Sequence, residues 1–136
     1  MHTPSATVLA ALIAWILFLL LLMEGMRVRY ILSGAVTPSA LRADNANLPQ
    51  FMQRLARAHA NTIETFPIIG GLLIVALITG RADVTDGLAV WLLGFRVVQS
   101  CIHLVSTNAL AANLRFLAFL VQMAIALYWL WMLIGT

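Results

Sequence analysis

Three sets of polar side chains recur at helical spacing in a chain that is otherwise apolar. Arg54, Arg57, Asn61 and Glu64 are spaced 3, 4 and 3 residues apart, and Arg96, Gln99, His103 and Ser106 repeat that spacing. Arg115 and Gln122 stand seven apart. Residues three and four apart lie on one helix face, so each set forms a single stripe, roughly 80° wide for the first. Guanidinium and amide groups gathered on one face are donors that suit an anionic ligand. The same residues also suit a packing role, in which Glu64 pairs with Arg96 while Asn61 and Gln99 bond across helices. Spacing alone leaves both readings open.

The elements that must carry these stripes follow from composition. The chain has 136 residues, of which 62% are hydrophobic and only 10% charged, with a mean hydropathy of +0.97. A soluble domain is about 45–50% apolar and about 25% charged. Disorder, a nucleic-acid-binding tail and an ordinary cytosolic domain are excluded, and no nucleic-acid partner is expected. A membrane helix takes about 20 apolar residues, so the chain holds four and little else. We expect an all-α, integral membrane four-helix bundle that forms one domain over residues 1–136, with spans near 6–26, 51–79, 88–106 and 114–134. The first run lacks Lys and Arg ahead of it and ends in Glu24-Gly25-Met26-Arg27-Val28-Arg29, so it reads as a retained span and not a cleaved signal. Breaker residues (Gly34, Pro38, Pro49) mark a long first loop over 33–50, and Gly80–Gly87 reads as a short turn.

Charge placement orients the bundle. There are eight Arg, no Lys and five acids. Basic loops stay in the cytoplasm. Arg27, Arg29, Arg42, Arg54 and Arg57 cluster around the first loop and Arg115 abuts the third, whereas Arg81 sits with Asp83 and Asp86 in the second. Both termini are therefore expected outside the cytoplasm; the expected location is a bacterial inner membrane. Setting the outward turn aside, seven Arg face three acids, Glu24, Asp44 and Glu64. Lipid satisfies none of these groups, so the stripes face protein or a wet cavity. An unpaired buried charge is costly, and that tilts the reading toward an anion site on the cytoplasmic side.

The segment Arg54-Leu55-Ala56-Arg57-Ala58-His59-Ala60-Asn61-Thr62-Ile63-Glu64-Thr65-Phe66-Pro67 resembles the second-helix signature of the membrane-associated proteins in eicosanoid and glutathione metabolism, the MAPEG family. Arg27, Arg96 and Arg115 resemble its other recurring arginines, and length, four spans and the long first loop agree over nearly the whole chain. The resemblance implies a homotrimer that binds glutathione between subunits near the cytoplasmic face. It implies that Arg57, Asn61 and Glu64 hold the peptide's charged and polar ends, with Arg27 and Arg96 in support, Arg96 through Glu64. It implies that Arg115 stands near the sulfur as the catalytic group, because a nearby cation favours the ionised, nucleophilic thiol. His103 falls where glutathione-using members place a tyrosine on the third helix, and joins the ligand-binding set. Phe119 falls where such members place another on the fourth helix.

The expected function is a glutathione-dependent transferase or peroxidase, with glutathione as co-substrate and a lipophilic electrophile arriving from the bilayer lipids. The alternative is a non-catalytic lipid- or ligand-binding protein of the same fold. His59 lies off the second-helix stripe and is expected to pack. Cys101 is expected as a buried small hydrophobe. Gly70 and Gly71 are expected to permit close helix packing. His2, His59 and His103 share no ligand spacing, so no metal site is expected.

Overall fold

A computed structural model describes residues 2–135. Four helices follow in order: α1 (Pro4–Leu32), α2 (Gln50–Ile78), α3 (Ala82–Val105) and α4 (Ala109–Ile134), with a single 3-10 turn, Pro38–Ala40, in the first loop. All four are long and apolar enough to cross a membrane, their best windows having mean hydropathies of 2.8, 1.8, 1.7 and 2.1.

Local chemistry explains the ends. Thr3 caps α1 by accepting from the Ala6 amide at 3.2 Å, with Pro4 at the first helical position, where its missing N–H costs nothing. Asn108 caps α4, accepting from the Ala111 amide at 2.8 Å. This cap starts α4 five residues before the expected span and cuts the α3–α4 link to three residues. α3 also starts earlier than expected. Of the two glycines bounding the expected turn, only Gly80 takes a left-handed φ, +70°, while Gly87 is helical. Asp83 falls in the first turn of α3, where a carboxylate favours the helix dipole.

α2 and α3 form the centre of the bundle. Each packs on the other, on α1 and on α4. One apolar core lies toward the chain termini, built from Val8, Leu12, Ile69, Leu73, Ala89, Leu92, Ile125 and Trp129. A second lies toward the first loop, built from Leu19, Met23, Leu48, Met52, Leu55 and Ala56. Hydrogen-bonding side chains join the helices between them. The Trp15 indole donates to Ser100 Oγ at 3.1 Å, and that oxygen lies 3.4 Å from Thr62 Oγ1.

The two ends are pinned differently. At the terminal end Asp86 accepts from the Ser5 amide (2.9 Å) and hydroxyl (2.6 Å), and the Ser5 hydroxyl also meets Thr85. Arg81 donates there to the carbonyls of Met132 and Leu133 at 2.9 and 3.1 Å. At the loop end Arg27 donates to Glu24 at 2.7 Å, to Asn45 Oδ1 at 2.8 Å and to the carbonyls of Ala43 and Arg42 at 3.1 and 3.3 Å. Asn45 is fully buried, has a left-handed φ of 57° and donates to the Met52 carbonyl at 2.7 Å. This clasp ties the first loop to α1 and to the start of α2. Nothing in the stripe spacing pointed to Asn45, since its partners lie 18 and 7 residues away.

Candidate functional site

A cavity of about 300 Å³ opens between the central helices near the loop end, lined by Asn61 of α2, Gln99 and His103 of α3, and Arg115, Phe116 and Phe119 of α4, with Ala112. The α3 and α4 stripes meet here because the two helices are antiparallel across a three-residue link. Arg115 Nη1 lies 3.2 Å from His103 Nδ1. Gln122 donates to Gln99 Oε1 at 2.7 Å and to the Ala118 carbonyl at 2.9 Å. Its own Oε1 is buried without a partner.

Arg96 stands one hydrogen bond behind this cavity. Its Nη1 donates to Asn61 Oδ1 at 2.6 Å. The side chain is 1% exposed, and its Nη2 is sealed without a partner. Asn61 and Arg96 lie eleven and nine residues in from their helix ends, on the order of 13–17 Å at 1.5 Å per residue. The expected Glu64–Arg96 pair does not form. Glu64 is exposed, because three residues beyond Asn61 leave it about 60° further round the helix, and the shorter asparagine takes the arginine instead. No carboxylate of the described residues lies within ion-pair distance of Arg96; the pairs that form around the first loop are Arg27–Glu24 at 2.7 Å and Arg42–Asp44 at 4.0 Å.

A second polar hollow, about 260 Å³, lies between the start of α2 and the α3–α4 link and is lined by Gln50, Gln53, Arg54, Arg57 and Thr107. Arg54 is held there by donation from Nε to the Leu104 carbonyl at 2.9 Å and sits over the Phe51 ring at 6.0 Å, a cation–π distance. Arg57 is exposed and has no protein partner among the described residues. Of the residues singled out in the sequence, the fold therefore gathers Asn61, His103 and Arg115 in one cavity with Arg96 behind. It sets Arg57 in the neighbouring hollow and leaves Glu64 on the surface. Arg27 is committed to the loop clasp.

Three further expectations resolve at this level. Cys101 is exposed, not buried. It lies off the polar stripe on the outer face of α3 and borders an apolar groove of about 430 Å³ between α3 and α4. Gly70 is buried, and a Cβ there would come within 2.8 Å of the Phe66 ring of the same helix, so the glycine makes room for that ring. Gly71 opens instead on a groove of about 500 Å³ between α2 and α4, beside Pro67 and Leu127. His59 is partly buried with its Nε2 unpartnered.

Four long apolar helices, with no strand among the described residues and a few polar side chains bonded between two apolar cores, define an integral multi-pass membrane protein. The MAPEG family model matches residues 5–135, nearly the whole chain, and the chain belongs to that family. No curated protein and no solved structure matches it.

Proposed function

We propose that this protein binds glutathione and conjugates it to, or uses it to reduce, lipophilic electrophiles that reach the site from the bilayer. The carrying observation is the uncompensated positive charge around one cavity. Among the described residues Arg96 is buried with a sealed N–H and no carboxylate partner just behind the cavity, and Arg115, which lines it, meets the His103 imidazole. A bound anion relieves the cost of such groups. Glutathione carries two carboxylates and an ionisable thiol, and the residues present fit it. Arg57 and Asn61 suit its polar ends and Arg115 its sulfur, where a cation favours the thiolate. The protein then contributes orientation and electrostatics and forms no covalent intermediate.

The exposure of Arg57 and Glu64 supports a homotrimer in which a neighbouring copy completes the site. A carboxylate on the outer face of a span cannot be satisfied by lipid. The surplus of Arg at the first-loop end supports a cytoplasmic site with both termini outside. Purified protein mixed with glutathione and a chlorinated nitroaromatic is expected to show turnover by absorbance and glutathione binding by calorimetry. Absence of both overturns the reading.

The two apolar grooves of about 430 and 500 Å³ favour a second reading, a non-catalytic lipid-binding protein of the same fold. Native mass spectrometry of gently extracted protein is then expected to retain lipid or fatty acid while glutathione fails to bind.

A further inference from the structure

We infer that His103 is a hydrogen-bond donor to the oxygen of a conjugated carbonyl substrate, and that the cavity therefore prefers α,β-unsaturated ketones and quinones to alkyl halides. This rests on the glutathione-dependent reading above and adds the class of the second substrate.

Arg115 Nη1 lies 3.2 Å from His103 Nδ1. A guanidinium has only donors, so Nδ1 must accept. An imidazole that accepts at Nδ1 is neutral and carries its ring proton on Nε2, since the partner of one ring nitrogen sets the state of the other. An imidazolium would set a donor against a donor. His103 Nε2 bonds to none of the described residues and is not among the sealed orphan atoms, which are His59 Nε2, Arg96 Nη2, Gln122 Oε1 and Trp129 Nε1. Its N–H is therefore neither sealed nor taken, on a side chain that lines the cavity.

The surroundings keep this donor available. Asn61 Oδ1 is taken by Arg96 and Gln99 Oε1 by Gln122, so neither oxygen is free to capture it. Phe116 and Phe119 form the apolar side of the same cavity, and aromatic faces suit a flat conjugated substrate. A neutral imidazole in this position polarises a carbonyl oxygen without surrendering its proton.

The step balances without any oxidant or reductant. The thiolate sulfur, beside Arg115, attacks the β-carbon and forms the C–S bond. The C=C π pair becomes a C=C bond to the carbonyl carbon, and the carbonyl π pair moves onto oxygen. The resulting enolate oxygen accepts from His103 Nε2–H. The α-carbon then takes a proton from water, matching the one the thiol lost on ionising, and the carbonyl re-forms. An alkyl halide develops its charge on the departing halide instead, so a donor placed for oxygen gains less in that transition state.

The test uses the full-length protein extracted from membranes, with His103→Phe and His103→Gln, the latter keeping an N–H donor. Glutathione affinity is measured by calorimetry, and kcat/KM with glutathione is measured on benzylideneacetone and on benzyl chloride. Removing one oxyanion donor costs about 10²–10³-fold. His103→Phe is expected to lose about 100-fold on the ketone, at least ten times more than on the chloride, and His103→Gln to recover most of that selectivity. Side-chain nitrogen NMR of the unliganded protein is expected to show His103 protonated on Nε2 alone. Equal losses on both substrates, a ketone that wild type does not turn over, or an Nδ1-protonated ring overturns the inference. If glutathione binds and benzyl chloride still reacts in those cases, the transferase reading survives; if neither holds, both fall.

Discussion

Two arginine clusters lie at the same end of the bundle and are treated in opposite ways. At the α1–loop clasp, Arg27 makes four hydrogen bonds, to Glu24, Asn45 and two carbonyls. At the α2–α3–α4 cavity, among the described residues, Arg96 has one neutral acceptor and a sealed, unpartnered N–H, while Arg115 meets an imidazole alone. A guanidinium whose donors are mostly used by its own chain holds structure together. One that lines a cavity with donors unused, as Arg115 does, is available to something else, and the sealed Arg96 adds its charge from behind. Charge near the membrane is thus structural or functional according to what the fold supplies around it.

The contrast predicts different outcomes for similar truncations. The largest effect is expected from Arg115→Ala, about 10²–10³-fold in turnover, with a much smaller change in glutathione affinity because its role is at the developing thiolate. Steady-state rates and calorimetry check it against Arg42→Ala, and equal losses from the two variants would break the comparison. Next, Asn61→Leu strips Arg96 of its single hydrogen-bond partner. A buried charge left alone costs about 3 kcal/mol or more, read as a lowered unfolding midpoint in detergent. An unchanged midpoint would mean that Arg96 is not sealed as described.

Arg27→Ala should act on stability and not on the ligand. Losing charge-assisted bonds to the loop costs about 2 kcal/mol, and proteolysis within residues 33–49 should accelerate while any effect on glutathione affinity follows the loss of folded protein. A selective affinity loss in fully folded Arg27→Ala would move Arg27 from the clasp to the site. The smallest effect is expected from Arg57→Ala. It is exposed and unpartnered, so the unfolding midpoint stays put while glutathione binds about tenfold more weakly, about 1.4 kcal/mol. No change in binding would restrict the site to the inner cavity.

Much of this arrangement was legible in the residues. The 3, 4, 3 spacing placed Asn61 with Arg57 and placed Arg96, Gln99 and His103 on one face of the third helix, and those faces do turn inward at Asn61, Arg96 and Gln99. The stripe also assigned Glu64 to that face, and there it overreached. A stripe is broad, and residues at its two edges can look in different directions once a neighbouring helix takes a definite position. Cys101 shows the converse, since an apolar-looking residue two places from the stripe is turned outward. Helix ends were misplaced where a cap such as Asn108 outweighed the start of the apolar run.

By itself the sequence determined that this chain is a four-span membrane protein and which few residues carry charge within it. Those facts depend on composition and on helical periodicity, which act over short distances along the chain. Only the tertiary structure decided which arginine is satisfied. Arg27 finds Asn45 across 18 residues, Arg96 finds Asn61 across 35, and Arg115 finds His103 across 12. Hydrogen bonds are short and directional, so partnership depends on where packing brings two helices together, and periodicity along one helix carries no information about its neighbour's register.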